Sequence, residues 1–163
     1  MNLLDIKSAS DIKSLSVSQL EDLASEIRSA LLMKLSRHGG HIGPNLGMVE
    51  MSIALHYVFD LPTDKIIYDV SHQSYVHKML TGRMDAFVIP EDYDKVTGYT
   101  NPKESPTDIY TIGHTSTAVS LAGGLVKARE LTGGKENIIA VVGDGALSGG
   151  EAFEGLDFAA TLK

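Results

Sequence analysis

The chain has 163 residues, 43% hydrophobic and 21% charged, which suits one globular domain with a sizeable core and excludes a disordered or low-complexity polymer. A formal net charge of -7 excludes the clustered cations that a nucleic-acid backbone demands, so no nucleic-acid partner is expected. The lack of cysteine removes disulfides, zinc–thiolate sites and thiol catalysis.

Met1 to Leu15 reads as an irregular lead-in without a signal-peptide core. Ser16 or Ser18 can cap the next helix, whose inner face is Leu20, Leu23, Ala24, Ile27, Leu31 and Leu35; Gly39-Gly40 stops it. A second helix, from about Leu46 to Val58, is apolar on most sides and is expected to be largely buried. Lys65 to Val70 reads as a buried strand, followed by a helix containing Tyr75 to Leu80. The stretch from Gly82 to Asp108 is polar, carries three prolines and has no period, as functional or mobile loops do. Ile109 to Ile112 predicts a short strand, Ala118 to Leu131 a small-residue helix ended by Gly133-Gly134, and "NIIAVVGDG" a third strand. The last helix begins near Gly149 and is expected still to be running at Lys163.

Unbroken apolar strands alternating with helices imply an α/β fold, a parallel sheet flanked by helices. Ligands of such sheets sit at the carboxyl ends of the strands. Three strand ends carry polar or glycine-rich segments: Ser71-His72, Gly113-His114-Thr115 and Gly143-Asp144-Gly145. No apolar run approaches the ~18 residues of a membrane span, and the chain is read as soluble and cytoplasmic, without a membrane partner.

Asp144 offers a hard oxygen to magnesium from a strand end, and its flanking glycines let backbone approach a bound group; the plain alternative is a tight turn whose aspartate caps the helix. Gly113-His114-Thr115-Ser116-Thr117 suits an anion through amides and hydroxyls, or else simple capping by Thr115 or Ser116. His114 can donate to a phosphate oxygen or satisfy a neighbouring carbonyl. His41 lies in a glycine-rich loop where a side chain can reach a cleft or merely face solvent. His72, at a strand end, is the better ligand candidate of the pair His72 and His77, which lacks the partners of a zinc site; His56 fits a hydrogen-bonded core position.

"GGHIGPNLGMVEMSIALHYVFD", "IIYDVSHQSYVHKMLTGR", "TIGHTSTAVSLAGGL" and "IIAVVGDGALSGGEAFEGLDFAA", in this order, resemble the N-terminal region of the 1-deoxy-D-xylulose-5-phosphate synthase family, transketolase-like enzymes dependent on thiamine diphosphate. The resemblance implies a partial, truncated thiamine-diphosphate-binding domain over residues 1–163, with 1–38 as lead-in and first helix and later domains absent. It implies thiamine diphosphate and Mg2+ as cofactors, with pyruvate and glyceraldehyde 3-phosphate as substrates of a homodimeric enzyme in isoprenoid and thiamine biosynthesis. By position, Asp144 resembles the magnesium ligand, Gly145 and Ala146 resemble diphosphate contacts, and His72, Gly113, His114 and Thr115 resemble further cofactor contacts. His41 resembles an active-site histidine, and His72 joins it as a catalytic candidate. Gly43-Pro44-Asn45 departs toward the transketolase style, and Thr115 stands where serine is common. The family's second magnesium ligand, an asparagine, and its catalytic glutamate have no counterpart after Asp144, so the piece alone is expected to be inactive. Two other readings are a transketolase-like subunit moving a two-carbon ketol group, and a non-catalytic α/β binding module.

Overall fold

Ser16 starts the first long helix by a reciprocal cap: its hydroxyl accepts from Gln19 N, and the Gln19 side chain accepts from Ser16 N at 2.9 Å. The computed structural model describes residues 2–162. Helix α1 (Val17–His38) buries Leu23, Ala24, Ile27, Leu31 and Leu35 and ends at Gly39, whose φ of 82° suits glycine. Leu20 stays half-buried at the face's edge. Each fully buried leucine or isoleucine on this face stabilises the fold by about 1.5–3 kcal/mol relative to exposure. The lead-in is more ordered than its sequence suggests. Two 3-10 turns, Leu3–Asp5 and Ala9–Ile12, bury Leu3, Ile6, Ala9 and Ile12, and the Asp11 carboxylate accepts from Lys7 N and Ser8 N. Apolar residues without a helical period here pack as single anchors.

A one-turn helix α2 (Gly43–Leu46) precedes α3 (Val49–Val58). The expectation of a largely buried α3 does not hold. Only Val49, Ser52, Ile53 and His56 are buried, while Met51 and Val58 are 57% and 65% exposed. Helix α1, the Ala9–Ile12 turn and helix α4 (Tyr75–Lys78) leave much of its surface uncovered, so apolarity around the helix exceeds the number of neighbours available. An open apolar groove runs between α1 and α3, lined by Leu20, Ala24, Ile53 and Tyr57.

Strands β1 (Lys65–Tyr68) and β2 (Ile138–Val141) pair in parallel, with Lys65 opposite Ile138 and Tyr68 opposite Val141. Helix α6 (Ala118–Thr132) packs on both strands and ends at Gly133 in a left-handed conformation. The fold is therefore α/β, a small parallel sheet flanked by helices. Ile109 to Ile112 is not a strand: the carbonyls of Tyr110 and Ile112 accept from the hydroxyls of Thr100 and Ser71, so side chains replace a ladder. Its apolar side chains still pack beside Ile67 and α6.

Residues 82–108, whose sequence left a functional or a mobile loop open, are ordered. Helix α5 (Asp85–Val88) and a 3-10 segment (Pro90–Lys95) occupy part of them, and buried ion pairs hold the rest. Helix α7 (Gly150–Ala159) packs closely on α6, with Gly155 against the Ser120 backbone. It ends at Ala159 rather than running on; Lys163 lies outside the described residues. Phe153, Leu156 and Phe158 are exposed, Phe158 while its ring lies beside Gly123 of α6.

Candidate functional site

Asp69 follows β1, in a stretch buried on both faces, and its carboxylate is 1% exposed. A charge there must find donors. It accepts from Ser116 N at 2.8 Å and Ala118 N at 2.9 Å, capping α6 from 47 residues away. The alternative of capping by Thr115 or Ser116 is thereby corrected, because neither hydroxyl caps the helix. Val70 and Ser71 then adopt left-handed φ values of 59° and 69°, turning the chain so that the Ser71 hydroxyl donates to Ile112 O and accepts from Thr100 N. Ser116, with φ 70°, donates its hydroxyl to Ala146 O at 2.7 Å.

On the other side, Asn45 is fully buried. Its amide donates to His41 O at 2.7 Å and His72 O at 2.8 Å, and its oxygen accepts from Tyr75 N at 2.9 Å. The His41 and His72 rings meet edge to face at 5.5 Å, with Tyr99 5.3 Å from His41. Side-chain and backbone links thus run from the His41 loop through His72, Ser71 and Ser116 to Ala146. The four loop tips are bound into one rim.

Burial, with the His72 imidazole beside it, pushes the His41 pKa down. The buried His72 Nδ1 has no hydrogen-bond partner among the described residues. Asp144, Gly145, His114, Thr115 and Gly113 are exposed, and Ala146 is buried. Side chains added at Gly113, Gly143 or Gly145 would meet nothing within 4 Å, so these turns border open space. Leu147 N and Ser148 N bond back to Gly143 O and Gly145 O, leaving the amides of Gly145 and Ala146 ahead of the first closed turn. Asp144 takes part in no hydrogen bond or ion pair among the described residues, and no group of three or more metal-ligating side chains forms there.

Residues 97–101 form the remaining wall, with Gly98 against His41. Asp108 anchors it, accepting two bonds from Arg83, one from His77 at 2.9 Å and one from Asn101 N. Burial works to raise the Asp108 carboxyl, but the bonds from His77 and Arg83 outweigh it and hold it well below the usual carboxylate range. Glu104 pairs with buried Lys78 and accepts from Thr97 N. His77 therefore serves this anchor and is bonded to His56, which lies in the core as its sequence position suggests.

Residues 3–163 match the family model for 1-deoxy-D-xylulose-5-phosphate synthase. The chain belongs to this synthase family. It is 49% identical to the 1-deoxy-D-xylulose-5-phosphate synthase of Symbiobacterium thermophilum, across 98% of this chain and 24% of the relative. It is 51% identical to that of Shouchella clausii, across 96% and 25%. It is 49% identical to the synthase 1 of Geobacter sulfurreducens, across 99% and 25%. The chain spans about a quarter of the length of the curated relatives it matches.

In this synthase-family chain, the sequence reading marked the histidines, the loop tips and Ser71, and missed the groups that hold them: Asp69, Tyr75 and Tyr99. A carboxylate ending an apolar run in "IIYDV" was the signal for Asp69; the others have no local mark. No helix among the described residues is long and apolar enough to cross a membrane.

Proposed function

We propose that this chain supplies the imidazole and diphosphate-facing side of a thiamine-diphosphate site, in an enzyme that joins decarboxylated pyruvate to glyceraldehyde 3-phosphate to give 1-deoxy-D-xylulose 5-phosphate. The unbroken rim from His41 to Ala146 carries this reading, because it brings two imidazoles, free-standing glycine turns and an unengaged carboxylate to one edge of the sheet. Thiamine diphosphate, when bound, supplies the nucleophilic carbon and the electron sink for decarboxylation.

The residues fit that group. Asp144 would hold the magnesium, a hard oxygen that is exposed and has no competing partner among the described residues. Gly145 and Ala146 offer amides to the diphosphate, and Gly113, His114 and Thr115 line the neighbouring turn. His72, with its unpartnered Nδ1, would contact the cofactor, and His41, half-buried and with its pKa pushed down, would help bind substrate or transfer a proton. Magnesium favours six oxygen ligands, and one carboxylate leaves it underdetermined, so this chain alone holds the pair weakly. The homodimer and the cytoplasmic setting belong to the same reading.

Isothermal titration of magnesium and thiamine diphosphate into this chain tests it. Weak binding that Asp144→Asn abolishes is expected. Binding that is indifferent to both Asp144→Asn and His72→Ala would overturn the assignment.

A further inference from the structure

Tyr75 lies three residues after His72, on α4, and is 5% exposed. Its phenolic oxygen is 3.3 Å from His41 N and 3.1 Å from His41 Nδ1. A backbone N–H only donates, so the phenol accepts there. The phenol has one proton of its own, and Nδ1 is the sole acceptor in reach among the described residues. Were Nδ1 protonated, the oxygen would receive two hydrogens while its own had no partner among the described residues, an arrangement native structures disfavour. Donation from the phenol to Nδ1 satisfies all three groups, and it leaves the imidazole hydrogen on Nε2.

We propose that Tyr75 is a positioning residue that holds His41 in the Nε2–H tautomer, so that the cleft receives an N–H donor from this imidazole instead of a bare ring nitrogen. The proposal rests on the reading of His41 as a site residue and adds its polarity. The phenol is fixed at both ends: Asn45 accepts from its backbone N, and its ring leans on Phe87 at 5.5 Å. Burial also pushes the phenol's pKa up, so it keeps its proton through the neutral range. His41 Nε2 has no partner among the described residues, while the ring is held by His72 and Tyr99. Such a donor matches a carbonyl, carboxylate or phosphate oxygen and does not match a proton waiting to be abstracted.

The test is a long-range proton–nitrogen correlation spectrum of the 163-residue chain without cofactor, with the His41 signal assigned through His41→Gln. The neutral ring is expected as Nε2–H, with the other tautomer below about a tenth of the population, since that form strands a buried donor. Tyr75→Phe keeps the ring packing and is expected to raise the Nδ1–H form several-fold. Tyr99→Phe, which removes a hydroxyl that does not bond His41, is expected to leave the ratio unchanged. An Nδ1–H signal in the unaltered chain overturns the proposal, as does a Tyr75→Phe spectrum with the original ratio. If Tyr75→Phe loses its fold, the spectrum of the unaltered chain still decides. Because no cofactor is added, failure of thiamine diphosphate binding would sink the cofactor reading and leave this one standing.

Discussion

Replacing Asp69 with asparagine asks how much of the rim depends on one carboxylate. Asp69 is buried and accepts two backbone N–H bonds, at 2.8 and 2.9 Å. The amide keeps one acceptor and turns a donor toward the other N–H. A bond to a charged group is lost, about 1.5–3 kcal/mol, and a buried donor is stranded at about 1–3 kcal/mol more. Losing a negative charge at the start of α6 adds about 0.3–1 kcal/mol. The expected destabilisation is roughly 3–7 kcal/mol, a large part of the ~5–15 kcal/mol available to a domain. Urea unfolding followed by circular dichroism measures it, with the slope unchanged if the variant stays two-state. Amide exchange at Ser116 and Ala118 reads the same event locally. A midpoint shift worth less than about 0.5 kcal/mol, with both amides still protected, would refute the view that Asp69 holds the turn.

Asp144→Asn is expected to leave stability within about 0.5 kcal/mol, because the side chain bonds nothing among the described residues, yet to abolish the weak magnesium–thiamine diphosphate binding by titration. Glu104→Gln strands the buried Lys78 ammonium and should cost about 3–5 kcal/mol, with new protease cleavage between 97 and 103 as its visible sign. Asn45→Ala removes three hydrogen bonds and should cost about 3 kcal/mol in urea unfolding, while shifting the His41 and His72 resonances together. The His56 pKa is pushed down to about 3 and that of His77 is also lowered, both chiefly by burial. Both bind protons more readily when unfolded, so their contribution is complete above about pH 6.5 and is lost as pH falls, at up to about 1.4 kcal/mol per unit each. Asp108, depressed in the fold, contributes fully above about pH 4 and loses its part only below that. Urea midpoints from pH 7 to pH 4.5 should therefore fall, and His56→Gln should flatten the slope; a flat limb in the unaltered chain would contradict the buried pair.

What the sequence made legible was local. The Ser16 cap, the leucine face of α1, the stops at Gly39 and Gly133, and the two paired strands follow from neighbours within a few positions. The loop tips were also visible, since glycine and polar residues ended apolar runs. Order in residues 82–108 was hidden because it comes from Arg83, Lys78 and His77 meeting Glu104 and Asp108 across 21 to 31 residues. The missing strand at 109–112 has the right composition but no backbone partner in register. Met51 and Val58 show the same limit on α3: hydrophobicity proposes burial, and only a neighbour delivers it.

The left-handed serines at 71 and 116 impose a conflict on anyone seeking a sturdier protein. Each sits in a backbone geometry that costs a residue other than glycine about 1–3 kcal/mol, and each uses its hydroxyl to tie one loop to the next. Glycine would relax the chain and cut the tie; any other residue with a side chain keeps the strain. Thermostability must therefore be sought away from these two positions, on surfaces such as the outer flank of α3, where nothing is owed to the rim.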